Sequence, residues 1–212
     1  MRTFASALAL TAALGLAAPA SAHEMGDWLV RVGTSVVDPK SNNGSFGDDL
    51  GIDVDDKWGL TFNVAYMLTD NWAVELLAAL PYNHDIAVGE LGTVASVKHL
   101  PPTLSLQYHF LPMGEFQPYV GAGVNYTHFF DDKLKGPLNV PGADIDTDTH
   151  SFGLAFQLGF DYIIDRNWFV NVDVRWIDIS TDATVFVPGI GTLESEVNID
   201  PMVYGIHVGY RF

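Results

Sequence analysis

Seven histidines (His23, His84, His99, His109, His128, His150 and His207) and a large excess of carboxylates are the groups with which this chain could do chemistry. None of the histidines falls at His-x-x-x-His or another metal-ligand spacing on one face, so the spacing gives no metal site. His84 and His99 flank a segment across which they can approach, which reads as a chance pair. His128 is the one side chain placed as a general base, but no serine with an orienting carboxylate can be set beside it, and no enzyme is expected. Asp144-Ile145-Asp146-Thr147-Asp148 lacks the glycine and terminal glutamate of a calcium loop. Absent cysteine removes thiolate metal sites and thiol nucleophiles. With 26 acidic against 10 basic residues and a formal charge of -16, the chain lacks the basic stripe that nucleic acid requires. The expectation is no catalytic residue, no metal and no cofactor.

The elements that carry these groups begin with an address. Arg2, the uncharged apolar stretch Phe4 to Ala18, and Ala20-Ser21-Ala22 have the order of a secretory signal peptide. Residues 1–22 are expected to be removed, leaving 23–212 as one domain. Beyond residue 22 no apolar run reaches the roughly 20 residues of a membrane helix. A β-barrel remains open, because each of its spans needs only about 9–11 residues.

Alternation is the main signal. Trp58, Leu60, Phe62, Val64, Tyr66 and Leu68 share one face of a run whose other face is Gly59, Thr61, Asn63, Ala65 and Met67. Phe152–Tyr162, Trp168–Trp176 and Met202–Phe212 repeat this period of two, the mark of strands with chemically different faces. Weaker runs occupy Trp28–Val37, Trp72–Tyr82, His99–Phe110 and Pro118–Phe130, giving eight strands. Short turns at Asp70-Asn71, Leu111–Gln117 and Asp165-Arg166-Asn167 alternate with long connections at 38–56, 83–98, 131–148 and 182–195. All long connections therefore leave one end of the sheet, and both termini fall at the other. Tyr66…Asn71-Trp72-x-Val74 recurs as Tyr162…Asn167-Trp168-x-Val170, one hairpin solution used twice.

Period two does not say which face is inside, since a secreted ligand-binding barrel is apolar inward. Here the second face is mostly glycine, alanine and polar residues, with charges at Arg31, Glu75, Asp161, Asp173, Arg175 and Arg211. That composition suits the filled interior of a narrow barrel. Aromatic residues gather at strand ends, as where a barrel meets lipid headgroups. The fold expected is an all-β, eight-stranded antiparallel up-and-down transmembrane β-barrel.

Specific motifs agree. His99-Leu100-Pro101-Pro102-Thr103-Leu104, Pro118-Tyr119-Val120-Gly121-Ala122-Gly123-Val124-Asn125-Tyr126-Thr127 and the terminal Gly209-Tyr210-Arg211-Phe212 resemble the OmpW family of bacterial outer-membrane proteins. Asp70-Asn71-Trp72-x-Val74-Glu75-Leu76-Leu77-Ala78-Ala79 fits as well. The resemblance covers essentially the whole chain after residue 22. It implies an outer-membrane location and uptake of small hydrophobic molecules, with sideways exit into the membrane. It also implies that Tyr210 and Phe212 serve as a signal to the outer-membrane assembly machinery. Lipid and lipopolysaccharide are then partners, with short turns and termini periplasmic and long loops extracellular.

Eight strands enclose no water-filled channel, so passage needs small or apolar inward residues. The expected path runs by Leu77, Ala79, Gly121, Gly123 and Phe129. Pro81, Pro101 and Pro102 lie near the long-loop ends of neighbouring strands and cannot donate to a ladder, so they should thin the wall into a lateral opening. Arg31, Glu75, Asp161, Asp173, Arg175 and Arg211 are expected inside as a plug or structural cluster. The competing reading is a barrel that only anchors its surface loops.

Overall fold

A computed structural model describes residues 22–46, 50–110 and 114–212. The signal segment expected at 1–22 lies outside the described residues except for Ala22. Eight strands form the wall: β1 (Trp28–Asp38), β2 (Lys57–Met67), β3 (Trp72–Ala79), β4 (Thr103–His109), β5 (Phe116–Leu134), β6 (His150–Ile163), β7 (Trp168–Ile177) and β8 (Met202–Arg211). Each pairs antiparallel with the next. β8 returns to β1 with Val32 opposite Val208, which closes the sheet and removes its edges.

The direction of the faces is unambiguous. Val32, Leu60, Leu76, Leu104, Val124, Leu154 and Val208 point outward and are 49–57% exposed. Arg31, Asn63, Glu75 and Asp161 point inward and are fully buried. An apolar band around a closed wall is stable only in lipid, where the ladder satisfies every backbone polar group. Aromatic pairs edge the band towards the turn end at Trp28–Tyr66, Trp72–Tyr108 and Trp168–Tyr210, and towards the loop end at Tyr126–Phe152 and Phe156–Trp176.

The repeated hairpin has a local cause. Thr69 Oγ1 accepts from the backbone N–H groups of Asn71 and Trp72, and Asp165 Oδ1 does the same for Asn167 and Trp168. Those two N–H donors hold the Asp165 carboxyl below its ordinary pKa. Asn71 Nδ2 then donates to the His109 carbonyl, and Asn167 Nδ2 to the Arg211 carbonyl, tying each turn to the adjacent strand.

The long connections differ from expectation, being largely strand. Gly44–Phe46, Leu50–Val54, Tyr82–Val88 and Thr93–Leu100 continue the sheet beyond the wall, and Asp144–Thr147, Ser180–Val187 and Gly191–Asn198 form a second small sheet. The runs expected at Trp72–Tyr82 and His99–Phe110 are interrupted at Leu80-Pro81 and at Pro101-Pro102. Proline fixes φ and lacks an N–H, so neither run can continue its ladder there. The extension folds because Val94, Val97, Val197 and Ile199 turn inward onto Tyr82, Phe129 and Ile177, giving the loop end an apolar core. A second apolar cluster of Leu29, Ala65, Met67, Ala73, Ile163 and Phe169 fills the turn end. The charged residues lie on the wall strands that run between these two.

Candidate functional site

Inside the wall, side chains from three other strands converge on Glu75 of β3. Arg31 of β1 donates to Glu75 Oε2 through NH1 at 2.9 Å and to Asp161 Oδ2 through NH2 at 2.8 Å. Arg175 of β7 donates to Glu75 Oε1 through NH1 at 2.7 Å and also binds Asp173. Gln107 Nε2 adds a donor to Glu75 Oε2 at 2.7 Å, and Asn171 Nδ2 donates to Asp161 Oδ1 at 2.8 Å and to the Tyr119 hydroxyl at 2.9 Å. Buried charges are tolerable only when paired in this way. Five of the six charges expected inside form this cluster. Arg211 does not join it; it sits at the turn-end rim, partly exposed, donating to the Arg166 carbonyl and standing 3.6 Å from Asp27.

On the loop side of the cluster lies a cavity lined by Leu77, Ala79, Tyr82, Pro101, Ile177 and Val203 together with Asp173, Arg175 and His207. Its open space is about 20 Å³, enough for one water-sized body. A second apolar pocket further out is lined by His84, Val97, His99, Phe129, Thr181 and Ile199. There the His84 and His99 rings come within 5.0 Å, and His99 lies 5.5 Å from Tyr82 and 5.9 Å from Phe129. The approach of His84 to His99 that the sequence allows is thus made in the fold, whereas Tyr82, the last residue of its run, carried no sequence signal that marked it as a lining residue.

Leu77, Ala79 and Phe129 therefore line luminal space, as expected from their parity. Gly121 and Gly123 do not. A Cβ on Gly121 would meet the Gln157 side chain at 2.8 Å, and one on Gly123 would meet the Leu104 carbonyl oxygen at 2.2 Å. These glycines admit a neighbouring side chain and a neighbouring strand, not a passing molecule.

The wall is interrupted beside the first cavity. Paired residues of β3 and β4 stop at Leu77↔Thr103, and pairing resumes at Tyr82↔His99. Leu80 N–H donates to the Leu60 carbonyl on the β2 side, so by the alternation of an extended chain the position of Pro81 faces the 100–102 segment. The Pro102 carbonyl accepts from Tyr126 N–H of β5, so Pro101 faces back towards Pro81. Each proline therefore lacks the donor that its position would turn towards the other segment. Pro102 stands apart: its missing donor faces β5.

Charges tie down the loop end. Lys135 donates to Asp85 Oδ1 at 2.5 Å, and Lys98 to Asp131 Oδ2 at 2.6 Å, with Lys133 on the other oxygen of Asp131. The ammonium groups hold the Asp85 carboxyl below its ordinary range and bring Asp131 down to about 2. His128 lies against His150 and Phe130 with Nδ1 at 3.2 Å from the Thr149 carbonyl, facing outward. Tyr210 packs on Trp168, and Phe212 N–H donates to the Trp28 carbonyl, so the last residue completes the closing ladder.

Comparison with known proteins matches residues 24–212 to the OmpW family model. Outer membrane protein W of Escherichia coli is 41% identical over 98% of this chain and 97% of its own length. The dibenzothiophene metabolism operon protein PahQ of Pseudomonas aeruginosa is 30% identical over 93% of each chain. The crystal structure of outer membrane protein OprG from Pseudomonas aeruginosa superposes with a TM-score of 0.81 at 39% identity, covering 90% of this chain and 97% of that one.

Proposed function

Because the chain belongs to the OmpW family of bacterial outer-membrane proteins, we propose that it admits small hydrophobic molecules from its loop end and releases them sideways into the membrane. The observation that carries this reading is the interruption of the β3–β4 pairing at Pro81 and Pro101 directly beside the cavity lined by Leu77, Ala79 and Tyr82. The polar cluster around Glu75 supports it. An apolar molecule would have to break buried ion pairs to continue towards the turn end, whereas the wall beside it already lacks two ladder donors. One relative's name ties that protein to dibenzothiophene metabolism, and dibenzothiophene is a small apolar aromatic. The long loops face outside in this reading, the short turns face the periplasm, lipopolysaccharide surrounds the loop-end girdle, and the Tyr210/Phe212 terminus addresses the assembly machinery. The first 22 residues are removed on export.

The small cavity means that side chains must move during passage. The test is the initial uptake rate of dibenzothiophene by cells lacking the gene, with wild type or Ala79→Trp restored. Wild type should raise the rate, and the indole at position 79 should cancel the gain with the barrel still folded. Equal rates in all three strains would leave a barrel that anchors its loops.

A further inference from the structure

At the turn end, remote from the proposed route, three potential metal ligands meet that no sequence spacing could align. His23 enters the lumen from the segment preceding β1, His109 ends β4, and Asp161 lies on β6. All are buried, at 3%, 3% and 0% exposure. One ligand atom from each lies within 4.8 Å of the other two. His23 Nε2 is 2.9 Å from Asp161 Oδ2, and the two imidazoles stand edge to face with centroids 5.7 Å apart. Among the described residues, Nδ1 of His23 and Nδ1 of His109 have no hydrogen-bond partner.

We propose that His23, His109 and Asp161 form a binding site for one late first-row divalent metal ion, with Zn²⁺ the best match. Two imidazoles and a carboxylate without thiolate are a donor set for such ions. Ligand atoms of a tetrahedral zinc site stand about 3.3 Å apart, given bonds of 2.0–2.1 Å. Ring rotation and a small shift of the N-terminal segment close the difference. The surroundings are arranged as around other metal-bound histidines. His109 Nε2 pairs with Gln107 Oε1 at 3.1 Å, which directs the Nδ1 lone pair away from Gln107, and Asn171 holds the second oxygen of Asp161. Charge also favours a cation. The adjoining cluster sets Arg31 and Arg175 against Glu75, Asp161 and Asp173, so one negative charge is left over despite the Arg31 contact to Asp161. The ion replaces the hydrogen bond between His23 and Asp161 and pins the N-terminal segment across the turn end. Cleavage after Ala22 would add the α-amine of His23 as a further donor.

The experiment titrates Zn²⁺ alone into metal-stripped protein purified from outer membranes, followed by calorimetry and by the ring ¹⁵N resonances of histidine. One equivalent should bind, with the His23 and His109 resonances moving. His109→Phe keeps a ring against Tyr119, whose stack with His109 is 5.0 Å between centroids, and should weaken binding at least about tenfold. His128→Ala, which removes half of the exposed His128–His150 pair, should not change the affinity. Absence of a stoichiometric site, or shifts confined to His128 and His150, would overturn the assignment. So would unchanged affinity in His109→Phe. The resonance shifts in unmodified protein decide the matter if that variant fails to assemble.

Discussion

Restoring the two absent donors should close the wall. In the double variant Pro81→Ala/Pro101→Val, residue 81 regains an N–H aimed at the 100–102 segment and residue 101 regains one aimed back at β3, as the partners of Leu80 and Pro102 dictate. Valine keeps most of the bulk that Pro101 presents to the cavity. Each new hydrogen bond contributes a net of about 0.5–1.5 kcal/mol, so the closed wall gains about 1–3 kcal/mol. If sideways release requires this stretch to part, its rate falls by about 5- to 150-fold, since every 1.4 kcal/mol is tenfold. Removing two prolines also loosens the unfolded chain, costing about 0.4–1 kcal/mol each, which the new bonds offset. The assay is initial dibenzothiophene uptake normalised to folded barrel, paired with amide exchange at residues 81 and 101. Protected amides with undiminished uptake would refute the lateral route; unprotected amides would refute the geometry of the break.

Glu75→Leu strands Arg31 and Arg175 without their shared carboxylate in a fully buried setting. Its expected cost is about 3–5 kcal/mol in unfolding from lipid vesicles by urea, and a loss below about 1 kcal/mol would mean that the arginines find other partners. Gly123→Val should abolish assembly, not block transport, because its Cβ collides with a strand backbone; a folded, transport-deficient product in heat-modifiability and uptake assays would contradict this. At the loop end, Lys98 and Lys133 lower the folded pKa of Asp131 to about 2, below the unfolded value near 3.9, so the stabilising contact is fully present above about pH 4 and is lost as pH falls through 2. Protection factors for residues 94–100 should therefore stay level from pH 7 to 4, and a fall already at pH 6 would show that other groups govern the contact.

The sequence by itself determined the wall. Alternation placed Leu60 and Leu154 on one face and Arg31 and Glu75 on the other, and the poverty of the second face in charge pointed it inward. The recurrent Asn-Trp turns, the strand count and the family motifs were legible for the same reason: each depends on neighbours a few residues apart. Parity says which face a side chain takes but not its height along the barrel, which the stagger between strands decides. Only the closed structure aligned Pro81 with Pro101 into one break, and only it separated Pro102 from that break. It gathered Arg31, Glu75, Asp161, Asp173 and Arg175 while leaving Arg211 at the rim. It turned Gly121 and Gly123 from an open path into close contacts. It also made strands of the long connections, because Val94, Val97, Val197 and Ile199 are buried only once the extended hairpins fold over the lumen. His23, His109 and Asp161 illustrate the limit most sharply: they lie far apart in the chain, and a cylinder closed to lipid brings them to one point at its end.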